Sequence, residues 1–192
     1  MQSLFKEFEK ILPLTEKESE LIESKIRHLK IKRKGLILQE YSICSQYTFV
    51  IKGCFKMYGI DDKGFSHNIQ FAAEGDWIAD MGSFYTQTPS KLHIEALEDS
   101  EIYQINQPDL NWLFEEVHKV NRMFKVISEN KFVEIQNRVL QNFSSTAETR
   151  YLSFLAQYPQ LSNRLPNTQI ASYLGITPEF LSKIRKRLSK KA

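Results

Sequence analysis

The sequence predicts an α+β fold: a β-rich segment closing into a sandwich or barrel-like roll, then a long helix, then a C-terminal helix-turn-helix domain. Three observations carry this. Between Leu29 and Asn106, short β-rich runs are cut by turn residues about every ten positions. From there to Phe143 apolar residues recur at helical spacing, with no Pro or Gly after Pro108. Between Pro166 and Lys190 two short amphipathic runs are separated by Gly175 and Ile176.

The totals set bounds on these parts. With 192 residues, the chain suits a domain of more than about a hundred residues plus a small one. No apolar run approaches the ~20 residues of a membrane span, and Met1–Lys10 lacks the basic start and apolar centre of a signal peptide, so a cytoplasmic location is expected. Cys44 and Cys54 are the only cysteines. They are too few for a zinc or iron–sulfur ligand set and read as buried or half-buried thiols.

Taken in order, Leu4–Leu12 and Glu16–Ile26 read as helices separated by Pro13, with Thr15 and Glu18 forming a capping box for the second. The strand runs are Leu29–Ile31, Leu36–Leu38, Tyr47–Lys52, Cys54–Ile60, Phe65–Phe71, Leu92–Leu97 and Glu101–Ile105. Asp61-Asp62-Lys63-Gly64 joins two of them, with Gly64 placed for the left-handed position of a hairpin loop. Alternation between Phe55, Met57, Gly59 and Lys56, Tyr58, Ile60 is too imperfect to assign faces.

After a first short helix, Leu113, Val117, Val120, Phe124 and Ile127 are spaced by three and four, and the register then shifts to Phe132, Ile135, Val139 and Phe143. A helix of about 30 residues spans roughly 45 Å, more than a small domain needs to cover its own core. Part of the stripe is therefore expected to pair with a second subunit, through Val117, Val120, Phe124 and Ile127. Phe143-Ser144-Ser145-Thr146 ends this helix as a hinge. Ser145 with Glu148 forms a capping box for Ala147–Tyr158, which Pro159 stops.

In the last segment, Ile170, Leu174, Ile176, Leu181 and Ile184 supply an apolar wedge, and Ala171 allows close helix approach. Gly175 can take the positive φ of a tight corner, Thr177 is a good N-cap, and Pro178 suits the first helical position. From Leu165 onward six Lys or Arg face one acid, a local charge of +5 in a chain of net +3. Cations concentrated on such a helix pair point to double-stranded DNA, with the second helix in the major groove. Thr177, Glu179, Ser182 and Lys183 are the expected base readers. Asn167, Thr168, Lys186 and Arg187 are the expected phosphate contacts.

The order of parts resembles the Crp/Fnr family of bacterial transcription regulators, in its short Bacteroidetes-type branch. The phrases that carry the resemblance are Arg33-Lys34-Gly35, Glu74-Gly75-Asp76-Trp77, Ile94 to Ser100, and above all Ile170 to Glu179. It covers nearly the whole chain. It implies a cyclic-nucleotide-binding-like β-roll of the double-stranded β-helix or jelly-roll type over 1–108, a dimerisation helix and hinge over 109–145, and a helix-turn-helix DNA-binding domain over 146–192. It also implies a homodimer on an inverted-repeat operator, a pocket in the roll that holds an unidentified small ligand or none, and contact with RNA polymerase, to which no residue is assigned. The ligand pocket would include Asp80, Met81, Gly82, Ser90 and Lys91. Here the chain departs from the nucleotide binders. It has Ala79-Asp80 where they have Gly-Glu for the ribose, and Ser90-Lys91 where they have Arg-Ser for the cyclic phosphate. Losing the planar Arg fork argues against cyclic AMP, and no cofactor is expected. Many relatives add a β-hairpin wing after the recognition helix, whereas only Leu188 to Ala192 follow here, with Lys190-Lys191 as a partial substitute.

Two other classes compete. An enzyme would need a cupin-like metal site, but His67 and His93 have no histidine partner close in sequence, so neither catalysis nor a metal is expected. The alternative to a DNA-binding regulator is a ligand-sensing or protein-interaction module that has lost DNA binding, and salt-sensitive, sequence-dependent binding separates the two.

Overall fold

The computed structural model describes residues 1–190. Helices α1 (Gln2–Glu9) and α2 (Glu16–Lys25) come first. Thr15 starts α2 with the expected capping box: its hydroxyl accepts from Glu18 N–H at 3.3 Å, while its own N–H donates to the Glu18 carboxylate at 2.7 Å.

The strands are β1 (Arg27–Ile31), β2 (Leu36–Leu38), β3 (Gln46–Lys52), β4 (Phe55–Ile60), β5 (Ser66–Ala72), β6 (Trp77–Ile78), β7 (His93–Ala96) and β8 (Ser100–Asn106), with helix α3 (Met81–Thr86) between β6 and β7. They form two four-stranded sheets, β1-β8-β3-β6 and β2-β7-β4-β5. This is a jelly-roll-like arrangement. The β6 strand and α3 were not read from the sequence. β6 is two residues long, and its pairing of Thr48 with Ile78 and Phe49 with Trp77 defines it.

The faces of β4, unassignable from alternation, are settled by its register on β7. Phe55 lies opposite Ala96 and Met57 opposite Ile94, all in the core. Lys56 lies opposite Glu95 and Tyr58 opposite His93. In this second row Lys56, Tyr58 and His93 are buried and Glu95 half-buried, and its members partner one another. Lys56 Nζ sits 4.1 Å over the Tyr58 ring and 3.7 Å from Glu95, Tyr58 stacks on His93 at 4.9 Å, and the Tyr58 hydroxyl donates to Glu95 at 3.2 Å. Burial, then the Glu95 charge, pushes the Tyr58 phenol up to about 12. Cys44 and Cys54 are buried.

Helices α4 (Gln107–Glu116) and α5 (His118–Ser144) follow, then α6 (Ala147–Gln157), α7 (Asn167–Leu174) and α8 (Pro178–Leu188). The N-cap of α6 is Thr146, which accepts from Thr149 N–H at 3.2 Å, rather than Ser145. The chain divides into two compact units, residues 1–59 with 70–130 and residues 60–69 with 131–192. The division falls inside α5 rather than at either end of it, and the β4–β5 hairpin tip belongs to the second unit.

All four residues expected on the subunit-pairing seam belong to the first unit, and three of them are buried in it. Val117, Val120 and Phe124 are buried in its core, and Ile127 packs against it. Trp77 decides this, with its ring 5.0 Å from Phe124 and 6.2 Å from Phe8. The apolar residues that α5 leaves exposed are Phe132, Val133, Ile135, Val139, Leu140 and Phe143, the last at 87%. No helix among the described residues is long and apolar enough to cross a membrane.

Candidate nucleic-acid interface

The second unit contains the helix pair. Helix α7 ends at Gly175, in the left-handed conformation (φ 65°, ψ 38°), and its last carbonyls are taken up by Gly175 N–H and by Ile176 N–H, which donates to Ala171 at 3.0 Å. Thr177 then starts α8, its hydroxyl accepting from Phe180 N–H at 3.2 Å, with Pro178 in the first turn. Ile170, Ala171, Leu174, Leu181 and Ile184 are buried between the helices.

Burying Leu181 and Ile184 turns the opposite face of α8 outward. Glu179, Ser182, Lys183 and Lys186 are exposed there at helical spacing, as are Thr177 at the cap and Lys190 beyond the last turn. Lys191 lies outside the described residues. The Glu179 carboxyl is held below the usual Glu range, first by its own backbone N–H at the helix start and then by the Thr177 hydroxyl. Ser182 is tied back along its own helix, donating to the Pro178 carbonyl at 2.9 Å.

Two expected phosphate contacts have partners within the chain. The Arg187 guanidinium lies 2.5 Å from the Glu148 carboxylate of α6. Asn167 donates to Ser182 at 3.3 Å and accepts from Arg185, which also reaches the Ser162 carbonyl at 3.4 Å. Arg185 thus clamps the start of α7 onto α8. Thr168 and Lys186 are exposed. Phe180, which the sequence did not single out, is 46% exposed on the flank shared with Arg187. The i, i+7 spacing of the two was the available signal.

In the β-roll, the chain supplies its own anion at the candidate pocket. Asp80 caps α3, one carboxylate oxygen accepting from Gly82 N–H at 3.1 Å and Ser83 N–H at 3.3 Å, the other from the Ser90 hydroxyl at 2.6 Å. Met81 is half-buried, and Gly82 and Lys91 are exposed. Ser83 further ties α3 down, accepting from Cys44 N–H at 2.9 Å and donating to the Thr88 carbonyl at 2.6 Å. Of the two histidines, His67 pairs with Asp61 at 2.8 Å and His93 stacks on Tyr58.

A family model described as a cyclic nucleotide-binding domain matches residues 28–117. None of the curated proteins matches the chain significantly. Among solved structures, FixK2 from Bradyrhizobium japonicum superposes with a TM-score of 0.74 at 18% identity, over 86% of this chain and 85% of that one. The c-di-GMP-responsive global regulator CLP from Xanthomonas campestris gives 0.73 at 12% identity, over 92% and 93%. A transcriptional regulator assigned to the Crp/Fnr family, from Eubacterium rectale, gives 0.69 at 16% identity, over 93% and 85%. Residues 28–117 thus match the cyclic nucleotide-binding domain model, and the chain as a whole shares the fold of these solved structures, among them a regulator assigned to the Crp/Fnr family.

Proposed function

We propose that this protein is a sequence-specific DNA-binding transcription regulator that acts as a homodimer on an inverted repeat. The observation that carries the reading is the outward face of α8. A capped helix start bears Glu179 and Lys183, with Lys186 a turn further on, all exposed on one side while Leu181 and Ile184 anchor the other. A helix entering the major groove with its N-terminal residues leading presents Glu179 to a cytosine amino group and Lys183 to guanine, while Lys186 and Thr168 meet phosphate.

Dimerisation is supported by the exposed α5 residues from Phe132 to Phe143, an apolar stripe that water would otherwise cover. Two recognition helices about 34 Å apart would then read half-sites one helical turn apart.

The residues of the roll do not fit a cyclic-nucleotide phosphate. The α3 N–H groups and the Ser90 hydroxyl already serve Asp80, and a phosphate placed there would meet a carboxylate instead of an Arg fork. Any effector of this roll is therefore of another class, and DNA binding proceeds without cyclic AMP.

Selection of bound sequences from random duplex DNA, with purified protein at near-physiological salt and no added ligand, tests the reading. Enrichment of an inverted repeat with half-sites about one turn apart is the expected result. Binding equal for every sequence would refute the sequence-specific reading, and no binding to any duplex would leave the ligand-sensing or protein-interaction alternative.

A further inference from the structure

Arg138 of α5 joins three segments of the second unit. Its guanidinium stacks 4.0 Å over the Tyr173 ring of α7. One terminal nitrogen donates to the Tyr173 and Asn68 carbonyls, each at 3.1 Å, and the other donates to the Ile69 carbonyl. The hairpin tip is held from the other side by α7: Asn68 donates to the Gln169 carbonyl and side-chain oxygen, both at 2.9 Å, and its backbone N–H donates to the Ser172 hydroxyl at 3.0 Å. That hydroxyl donates in turn to the Ser66 carbonyl at 2.9 Å.

The cluster has three telling properties. It is built from polar groups aimed at backbone carbonyls, which fix direction rather than bury apolar area. It buries Asn68 to 3% exposure with the side-chain Oδ1 unpartnered, a costly arrangement for a contact that served stability alone. It also uses the Gln169–Ser172–Tyr173 side of α7, leaving Thr168 and the outward residues of α8 exposed. On α5, Arg138 shares a face with Glu134, which accepts from the Tyr158 hydroxyl at 3.0 Å, while Phe132, Val139, Leu140 and Phe143 occupy the exposed remainder.

From this geometry we infer that Arg138, with Asn68 and Ser172, is a positioning residue that sets the angle of the DNA reader against the α5 stripe. The inference rests on the dimeric DNA-binding reading above. If that stripe pairs two copies, the angle fixes the separation of the two recognition helices, and with it the half-site spacing the dimer accepts. Arg138 touches no base. Its loss lowers the advantage of a full inverted repeat over a single half-site, an advantage of geometry and not of new contacts.

The test is Arg138→Lys, which keeps the charge and loses the planar fork, with Ser172→Ala as a milder second variant that leaves α5 untouched. Each is measured against a full repeat, a single half-site, and repeats lengthened or shortened by one base pair. The result expected for Arg138→Lys is at least about a tenfold loss on the full repeat, half-site affinity within about twofold of wild type, and a flattened spacing preference. Amide exchange at residues 66–69 and 169–173 should quicken in both variants. Quickened exchange with an unchanged full-to-half-site ratio would overturn the positioning role, leaving a purely structural cluster. Equal losses on half-site and full repeat would overturn it too. A wild-type protein with no full-repeat advantage would instead overturn the dimeric DNA reading itself, while the exchange result still reports whether the cluster holds the tip.

Discussion

The Ser90 hydroxyl donates a 2.6 Å hydrogen bond to the Asp80 carboxylate, whose other oxygen caps the first turn of α3. A pair of side chains ten residues apart thereby takes up the Ser90 hydroxyl and the Gly82 and Ser83 N–H groups. Cyclic AMP is accordingly expected to leave the melting temperature unchanged. A ligand present at a hundred times its Kd would contribute about 2.7 kcal/mol and raise Tm by several degrees, so a thermal-shift titration decides the matter, and a saturable rise would refute the reading. Asp80→Ala should cost about 1 kcal/mol through the lost cap.

The two halves of α5 should respond differently to substitution. Leu140→Glu places a charge in the exposed stripe and is expected to give a monomer whose melting temperature falls only by the lost dimerisation and no longer depends on protein concentration. Phe124→Ala empties the aromatic cluster around Trp77, should cost about 3–5 kcal/mol of folding stability, and should leave the dimer intact. Sedimentation alongside thermal melting separates the outcomes; a dimer that survives Leu140→Glu would move the interface elsewhere.

On α8, Lys183→Ala should relax base preference at one position per half-site, at a cost of about 1–3 kcal/mol on the preferred sequence. Lys186→Ala should weaken every sequence alike and reduce the salt slope by about one unit per subunit. Because Arg187 already pairs with Glu148, Arg187→Ala is expected to change the slope less than Lys186→Ala does. Titrations at several salt concentrations on matched and mismatched sites measure all three. Uniform loss from Lys183→Ala would remove it from base reading.

The tie between α2 and α5 predicts an acid dependence. Lys119 donates to Glu18 at 2.8 Å, and this bond, followed by the one from Thr15 N–H, holds the Glu18 carboxyl below its ordinary value of 4.5. A carboxyl lowered on folding stabilises fully above its unfolded pKa, and the contribution disappears as pH falls through the folded one. Glu18→Gln should therefore lower Tm at neutral pH and flatten the fall of Tm below pH 4.5, the two curves converging in acid. Parallel curves would show that the pair contributes nothing measurable.

The sequence by itself determined whatever is encoded within a few residues. The capping box of Thr15 and Glu18, the turn at Gly64 (φ 82°), and the corner of Gly175, Thr177 and Pro178 all form where the sequence places them, because a cap or a tight turn is satisfied by groups three or four positions away. Most strands were also readable, since turn residues bracket them.

What depended on distant partners was left to the tertiary structure. Val120 and Phe124 carry the same helical periodicity as Val139 and Phe143. Only the arrival of Trp77 and Phe8 beside Phe124 makes the first pair core and leaves the second pair at the surface. The charge on Arg187 reads as a phosphate contact until α6 brings Glu148 to it. Asn68 and Gln169 stand 101 positions apart, and nothing local to either marks the contact. Periodicity specifies that a face is apolar and a charge count that a segment is basic. Which surface covers that face, and which carboxylate meets that charge, is fixed only when the whole chain folds.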